Sequence, residues 1–460
     1  MPGRQIIYSI TQADDLNRRS KTNALCDLVV LYDYNEKEKT GILIPTEKLQ
    51  SFTLSENIFG TLPKLQVKFF DNNTYFNNMN FVIGKNLYIK VTPRPAEGMK
   101  IDFVPSPYIE AVFTIQDVQV TIQPNISYNY TLDCTHGSMK LLGDICLWPR
   151  SVVPLDLKEE SLNSKEVLLQ VAGAAGFEAT SQVTTTPLDS MNWLSTNYTY
   201  EQFLKKIISH SWLGEDDAPF YYIDKNGKFY LSSLRTCADK PVVGQYMEAA
   251  RLHRLNKNQN SGIREYSECS IQNMGFITND GGNKATSYVF NPLHGPELLT
   301  VKPAPKIPII PGAFSVVEHY RKYTNDDKTQ AFVFGVDNRA ASTVQNTKYI
   351  SNDIHFAQNH QFYDIAPLHN KALLKRFFQV FVSLVYNSNL QLLSEYKQES
   401  RVKLSDKINI DFTGLSSSDQ SIHTGDYIVS NLVHSWVVGG AYSINIIAVR
   451  DTLTAVGSLI

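Results

Sequence analysis

Cysteine, histidine and acidic residues are the side chains of this sequence that could do chemistry, so their spacing is considered first. Cys134, His136 and Cys146 could supply three ligands to a zinc ion, but a clear fourth ligand is missing. His355 and His360 are five residues apart in a polar segment, which is not the spacing of a metal-binding pair. We therefore expect no metal site, with the Cys134 group as the nearest candidate.

The acidic and glycine-rich segments also lack the patterns of known sites. Glu215 to Asp217 could serve as acid and base or bind calcium, but the twelve-residue pattern of a calcium loop is absent, and an acidic turn explains them more simply. Gly281 to Lys284 lacks the spacing of a phosphate-binding loop. Neither Gly-x-Ser-x-Gly nor His-Glu-x-x-His occurs. We expect no catalytic, cofactor-binding or metal-binding residues, no cofactor, and no enzymatic activity.

Composition favours a large, weakly charged protein with much aromatic surface. The 460 residues predict two or three domains. Only 19% of the residues are charged, while 43% are hydrophobic and Tyr and Phe number 24 and 23. Few charges and many aromatics are typical of buried protein interfaces. They are equally typical of β proteins, in which aromatic side chains pack well on pleated sheets, and both explanations stay open.

Charge and cysteine usage exclude several kinds of partner. The net charge of −2 does not provide the basic field that nucleic acid requires, and Lys371, Lys375 and Arg376 are best explained as the solvated face of a helix. The five scattered cysteines indicate reduced thiols in a protein that is not secreted. The first residues do not resemble a signal peptide. The best candidate for a membrane helix, Phe377 to Val385, is far too short, so we expect no membrane anchor.

Both ends of the chain have the pattern of short strands separated by Gly, Asn, Asp and Pro. Near the beginning, the predicted strands are Leu25–Tyr32, Thr40–Ile44, Phe52–Leu54, Leu65–Phe70, Asn86–Val91 and Ala111–Ile122. After a predicted helix over Lys371–Phe378, the predicted strands are Val380–Tyr386, Lys407–Phe412, Gly425–Trp436 and Ala441–Val449. Each end is therefore expected to form a small barrel or sandwich.

The middle of the chain combines helical and strand patterns. Apolar residues recur at helical spacing after Ser164, which we interpret as the helix cap, and again over Tyr200–Ile208. Phe220–Leu231 has the pattern of a hairpin, with Asn226-Gly227 as its turn signal. Isolated strands are predicted at Ser287–Phe290 and Ala331–Val336 within an otherwise irregular, proline-punctuated stretch.

These patterns predict a mainly β fold with α+β insertions: two small β-barrels per chain and a mixed middle region. The predicted domains are a first barrel over 1–133, a mixed α/β domain over 134–235, an irregular connecting region over 236–365, and a second barrel over 366–460.

Several segments, in order, resemble one family, the baseplate central hub proteins of contractile-tailed bacteriophages, which are related to the hub part of type VI secretion spike proteins. Each motif is common by itself, and their order and spacing support the resemblance. The segments are Phe52–Gly60, Pro63–Asp71, Ile83–Ile89, the two predicted helices with Thr184–Pro187 between them, Phe220–Leu231, Gly425–His434 and Tyr442–Asp451. The stretch 236–365 is largely unmatched.

The resemblance implies a structural protein of the virion tail baseplate. Hub proteins of this family are homotrimers in which each chain contributes two tail-tube-like barrels, giving a pseudo-sixfold ring. Such a ring joins the hexameric tail tube above to the trimeric central spike below during genome ejection. The unmatched middle would contact wedge or tape-measure proteins, and synthesis would occur in the host cytoplasm. The resemblance implies neither specific nucleic acid binding nor site residues.

Three alternatives remain at the level of sequence. The same fold could serve as the hub of a type VI secretion or tailocin-like injection system. A tail-associated cell-wall hydrolase would use Cys134 and His136, or the turn Glu215–Asp217, for its chemistry. A carbohydrate-binding tail module would use exposed aromatic residues to stack on sugars. The host and the surfaces that meet tube or spike cannot be read from the sequence.

Overall fold

The computed structural model of the protein describes most of the chain up to residue 248 and shorter segments beyond it. Strands predominate, so the prediction of a mainly β fold is confirmed. For the strands between 285 and 335 the description is limited to the backbone. The described residues are 7–19, 26–60, 62–71, 81–95, 100–124, 127–148, 162–187, 193–195, 197–209, 211, 213, 219–248, 263–273, 285–291, 295–303, 316–322, 330–335, 380–387, 396–412, 423–440 and 442–450.

The regular elements in these ranges are as follows. The helices are α1 (Ile10–Arg19), α2 (Met139–Gly143), α3 (Ser164–Ala174), α4 (Tyr200–Ser209) and α5 (Leu234–Asp239). The strands are β1 (Tyr8–Ser9), β2 (Cys26–Asn35), β3 (Thr40–Ile44), β4 (Leu49–Asn57), β5 (Lys64–Asp71), β6 (Asn86–Pro93), β7 (Ile109–Gln123), β8 (Ser127–His136), β9 (Ala179–Ser181), β10 (Pro219–Ile223), β11 (Phe229–Ser233), β12 (Val242–Glu248), β13 (Ile263–Asn273), β14 (Ala285–Asn291), β15 (Gly295–Pro303), β16 (Val316–Lys322), β17 (Gln330–Gly335), β18 (Val380–Asn387), β19 (Lys407–Asp411), β20 (Gly425–Val437) and β21 (Ser443–Arg450).

The first β module is a curled antiparallel sheet in the order β3-β2-β6-β7-β8-β5-β4. Alternation in sequence produces it: in β5, Leu65, Val67 and Phe69 are buried and the residues between them are more exposed. Because side chains alternate along a strand with a period of two, one side of each strand faces a common interior. Inward residues from all of these strands belong to one buried hydrophobic cluster, so the sheet wraps around its own core.

The second β module is a closed barrel. Its strands follow the order β12-β13-β18-β21-β20-β19, and β19 pairs back to β12. The pairs that β12 makes with β13 and β19 are parallel, and the other pairs are antiparallel. Closure leaves no free edge in this ring of strands. Large side chains fill the interior, including Tyr246, Tyr386, Tyr427, Leu384, Ile410 and Ile446.

Strand β20 belongs to both modules. Along one edge it pairs first with β19, from Gly425 to Ile428, and then with β4, from Asn431 to Val437. Its other edge pairs with β21 inside the barrel. Because β20 occupies the outer edge of β4, the first sheet continues into the barrel instead of closing on β3. The inward residues of the two modules consequently form a single hydrophobic cluster.

The middle of the chain forms a small α/β module. Helices α3 and α4 pack on a sheet in the order β10-β11-β9, and their apolar faces share a core of their own. Helix α3 begins with a capping box in which the Asn163 side chain accepts from the Glu166 backbone N–H at 3.0 Å. The cap is therefore Asn163, and the prediction of Ser164 was wrong by one residue. Asn163 has the extended backbone of an N-cap, whereas Ser164 is already in the helix.

Several predicted elements are present, and some that were not predicted were found. The strands predicted at both ends, the two helices and the hairpin are all formed. Strand β8 and helix α1 were not predicted. Helix α1 lies on the outer face of β2 and β6, where Ala13 is fully buried and Asp14 pairs with Lys90 at 3.0 Å. The helix predicted over Lys371–Phe378 lies outside the described residues.

The range 236–365 contains more regular structure than its sequence indicated. Strands β12 and β13 complete the closed barrel, and β14 to β17 form a separate antiparallel sheet of four strands. The barrel therefore draws strands from both sides of residue 366, the predicted start of the second domain. Parallel pairing of β12 with β19 joins segments far apart in sequence, which local patterns do not reveal. In the part of the chain described here, no helix has the length and apolar character needed to cross a membrane.

Candidate functional site

The hairpin of β10 and β11, residues 219–233, sits between the two β modules, and we call it the wedge. Its turn meets the end of the first sheet, where an added Cβ on Gly227 would lie 2.5 Å from the His136 ring. Gly227 has φ of +77°, a conformation that favours glycine. A second contact lies just after β4, where Gly60 packs against the Tyr221 ring of the wedge. Phe220 and Tyr222 join the core that the two β modules share.

A buried polar group, the Glu56 cluster, connects the wedge to the shared strand. It comprises Glu56 on β4, His434 on β20, Tyr442 just before β21, and Lys225 in the wedge turn. The Lys225 backbone N–H donates to Glu56 Oε2 at 2.9 Å, and its ammonium lies 3.7 Å from Oε1. His434 Nε2 lies 3.4 Å from Glu56 Oε1, and His434 Nδ1 lies 2.5 Å from the Tyr442 hydroxyl. The cluster therefore ties three separate segments of the chain together.

The protonation state of the Glu56 cluster follows from its partners. Burial alone would raise the pKa of Glu56, but Lys225 and the His434 hydrogen bond outweigh it and hold that pKa at about 2. Burial lowers the pKa of His434 to about 4, and nearby Lys225 adds to the effect. Because a carboxylate only accepts, Nε2 of the neutral ring must carry the proton, and Nδ1 then accepts from Tyr442. At neutral pH the cluster thus holds one buried carboxylate and one neutral imidazole.

This combination of residue types could relay protons, but its surroundings make it structural. Glu56 is 3% exposed, His434 2% and Tyr442 0%. A substrate has no approach to side chains so enclosed, and the polar atoms of the cluster are already used by one another. General acid–base catalysis requires a group within hydrogen-bond reach of the reacting atom. The geometry therefore favours mechanical attachment over catalysis.

A second polar group, the Ser405 cluster, fixes the wedge to the closed barrel. It comprises Gln182, Tyr222, Lys240 and Ser405. The Lys240 ammonium donates to Ser405 Oγ at 2.8 Å, to the Ser405 carbonyl at 3.0 Å and to Gln182 Oε1 at 3.1 Å. The Tyr222 hydroxyl lies 3.0 Å from Ser405 Oγ. A serine beside a lysine could act as a nucleophile, but Ser405 is fully buried and these three bonds use all the ammonium donors.

A third contact joins the two modules directly. Arg401, in the connection before β19, donates to the carbonyls of Ser106 and Pro107 at 2.6 Å each. Its guanidinium stacks on the Tyr108 ring at 4.0 Å from the centroid. Planar guanidinium groups suit this combination of two hydrogen bonds and one ring contact. The wedge, the shared strand and Arg401 thus hold the two modules at several independent points.

Of the candidates singled out in the sequence, those that the structure describes do not assemble into a site. Cys134 is buried in the core of the β modules and Cys146 in the core of the α/β module. His136 instead lies 2.9 Å from the Ser138 hydroxyl, and burial lowers the pKa of this histidine to about 4. Among the described residues, His, Cys, Asp and Glu form no cluster of three that could hold a metal ion. His355, His360, Glu215 to Asp217, Gly281 to Lys284 and the basic residues near 371 lie outside the described residues.

Sequence reasoning missed Glu56 and His434, although a signal for both was present. In Phe52-x-Leu54-x-Glu56-x-Ile58, the glutamate takes a position that alternation assigns to the interior. His434 takes the same kind of position between Leu432 and Trp436. A charged or titratable residue at an inward position needs a buried partner. That rule identifies both residues, but it does not pair them.

The opposite end of the first sheet carries exposed aliphatic side chains. Strand register places the far end of the β7–β8 hairpin and the end of β20 at this end, away from the wedge. Exposed aliphatic residues grouped at one end of a protein are typical of protein contacts. The exposed residues are Val120, Ile122, Val437 and Val438, each between 48% and 69% exposed.

No family model matches the sequence, and no curated protein matches it. The chain is similar in structure to a tail protein from Neisseria meningitidis MC58, with a TM-score of 0.48 and 8% identity over 93% of this chain and 98% of that one. It is also similar to the 43 kDa tail protein of prophage MuSo2 from Shewanella oneidensis, with a TM-score of 0.48 and 8% identity over 92% of this chain and 96% of that one. A third similar structure is an Escherichia coli component of the type VI secretion system, described as similar to the T4 bacteriophage tail proteins gp27 and gp5, with a TM-score of 0.39 and 7% identity over 88% of this chain and 73% of that one. Tail proteins and a type VI secretion component are thus among the structures to which this chain is similar.

Proposed function

We propose that the protein is a structural baseplate hub of a phage contractile tail. Three copies form a ring that joins the hexameric tail tube on one side to the trimeric central spike on the other. The observation that supports this most is that each chain holds two β modules that share strand β20. Three such chains present six β modules to a sixfold partner while keeping threefold symmetry for a trimeric one.

Rigidity is what such an adaptor requires, because force passes through it when the tail contracts. The two modules share one core and one strand, and the wedge is bound to both of them by the Glu56 and Ser405 clusters. A chain held at these points resists hinge motion between its halves. The work of the protein in this proposal is mechanical, and no side chain has a catalytic role.

The partners of the hub are proteins. The tube protein binds one face of the ring and the spike protein binds the other. Other baseplate proteins, the baseplate wedge proteins or the tape-measure protein, bind at the periphery. Exposed aliphatic residues at one end of the first sheet support a protein contact there. The protein would reside in the virion tail after synthesis in the cytoplasm of the host.

The test is the solution mass of the purified chain by light scattering over a concentration series, alone and with the spike protein encoded beside it. The expected mass is about 156 kDa, three times the 51.9 kDa of one chain. A chain that stays monomeric even with its spike would refute the adaptor function. Assays of cell-wall degradation and of polysaccharide binding on the same sample test the hydrolase and carbohydrate alternatives, and we expect both to be negative.

A further inference from the structure

The two attachments of the wedge differ in chemistry. On the barrel side, the Ser405 cluster consists of hydroxyl groups, an amide and a lysine. On the first-sheet side, a carboxylate accepts the backbone N–H of Lys225, so the wedge turn itself depends on Glu56 remaining ionised and in place. The carboxylate in turn accepts from the neutral ring of His434. The polar part of the attachment on this side therefore rests on two groups that acid protonates.

Protonation of His434 conflicts with its surroundings. In the neutral ring, Nδ1 accepts the hydrogen of the Tyr442 hydroxyl, which lies 2.5 Å away and is fully buried. A proton on Nδ1 would change that nitrogen from an acceptor to a donor, so it would face the donating Tyr442 hydroxyl with a hydrogen of its own. The hydroxyl would have to turn its hydrogen elsewhere inside a closed core. The imidazolium would then donate to the Tyr442 oxygen, but the hydroxyl hydrogen loses His434 as its acceptor and the positive charge has no access to water.

The charges around the cluster reinforce this conflict. Lys225 and Arg401 are the cations that act on His434, and both disfavour a further positive charge there. Glu56 is the anion that favours it, and burial outweighs that attraction. Glu56 also acts electrostatically on Asp224 in the wedge turn and on Tyr230 in β11. Cys26 and Tyr108 act electrostatically on Tyr442 from the side of the first sheet.

We propose that the Glu56 cluster is an acid-sensitive latch, which releases the wedge from the first sheet when His434 and then Glu56 take up protons, while both β modules stay folded. The pKa of His434 is lowered from 6.5 to about 4 in the closed state. In the open state that we propose, His434 is hydrated, so between these values the open state binds more protons and falling pH favours it. A pKa difference of this size between the closed and open states raises the fraction of open molecules by roughly a hundredfold between pH 7 and 4. This inference does not depend on the proposed function.

The test is hydrogen–deuterium exchange of the full-length protein at pH 7, 6, 5 and 4, with each rate corrected for the intrinsic effect of pH. Protection of the Lys225 amide, which donates to Glu56, is expected to fall roughly a hundredfold by pH 4. Strands β7 and β21 serve as internal references and are expected to stay protected. The variant H434Q removes the titrating group and should keep the wedge protected, whereas H423Q, a histidine outside the cluster, should behave as the unmodified protein.

A second variant keeps the test decisive if H434Q does not fold. E56Q has nearly the same shape as the original side chain but cannot carry the charge, so its wedge should already exchange faster than that of the unmodified protein at pH 7. Two results would overturn the latch. One is loss of protection in the wedge and in the reference strands at the same pH, which indicates global unfolding. The other is a wedge that opens in H434Q at the same pH as in the unmodified protein, or that stays as protected in E56Q at pH 7 as in the unmodified protein.

Discussion

Replacing Arg401 tests whether the two β modules are bound to each other as firmly as the structure indicates. Arg401→Ala removes two hydrogen bonds of 2.6 Å to the Ser106 and Pro107 carbonyls and the stack on Tyr108. Hydrogen bonds to charged groups contribute about 1.5 to 3 kcal/mol each, and an exposed cation–π contact about 0.5 to 1 kcal/mol. Because Arg401 is only partly buried, water replaces part of this loss, and we expect destabilisation of about 3 kcal/mol.

Arg401→Lys separates charge from shape. A lysine keeps the positive charge but cannot form two parallel hydrogen bonds and stack at the same time, so about half of the destabilisation should remain. The measurement is urea unfolding followed by tryptophan fluorescence, since Trp436 lies in the seam between the modules and stacks on Phe52. Arg235→Ala is the matched control, because its pair with Asp239 is exposed at the surface of α5.

Either of two results would refute the reasoning. If Arg401→Ala unfolds at the same urea concentration as Arg235→Ala, the contact between the modules contributes no more than an ordinary surface pair. If Arg401→Lys is as stable as the unmodified protein, the planar geometry of the guanidinium is not what matters.

Three further predictions concern single positions. Gly227→Ala should lower the unfolding free energy by about 2 kcal/mol more than Gly84→Ala does. Both glycines have positive φ, but only at Gly227 would an added Cβ collide with the His136 ring. Thermal unfolding measures the difference, and equal losses would contradict the close contact. Asn163→Ala should cost about 1 kcal/mol and Asn163→Asp much less, with faster hydrogen exchange at the start of α3 in the alanine variant as the check. Iodoacetamide should label Cys269 first in the native protein, although burial raises the pKa of its thiol to about 11, because the other four cysteines are more deeply buried. Early labelling of any of those four would contradict the packing of the core, and they are Cys26, Cys134, Cys146 and Cys237.

The strands of both ends could be predicted because their signal is local. Leu65, Val67 and Phe69 alternate with more exposed residues, and turn residues separate one run from the next. The turn at Asn226-Gly227 was equally clear, since few other sequences favour positive φ at the second residue. Local patterns of this kind depend on neighbours within a few positions.

The pairing of distant strands could not be predicted in the same way. Nothing near Gln245 in β12 indicates that its partner on one side is Asn409 and on the other Ile263. Likewise, β20 reads as one long strand, and the division of one of its edges between β19 and β4 depends on which distant strands have free edges. The Glu56 cluster was missed for the same reason, because its members are brought together only by these pairings.

The sharing of β20 has a consequence for how the protein folds. Glu56 and His434 lie 378 positions apart, so β4 has no partner on its outer edge until nearly all of the intervening chain has been synthesised. Contacts of such sequence separation form slowly, because the chain between them must first be ordered. Until then the first sheet exposes an open strand edge, which other chains could pair with. Completion of the first module is thereby linked to completion of the second, and a chain that stops short of β20 cannot finish either one.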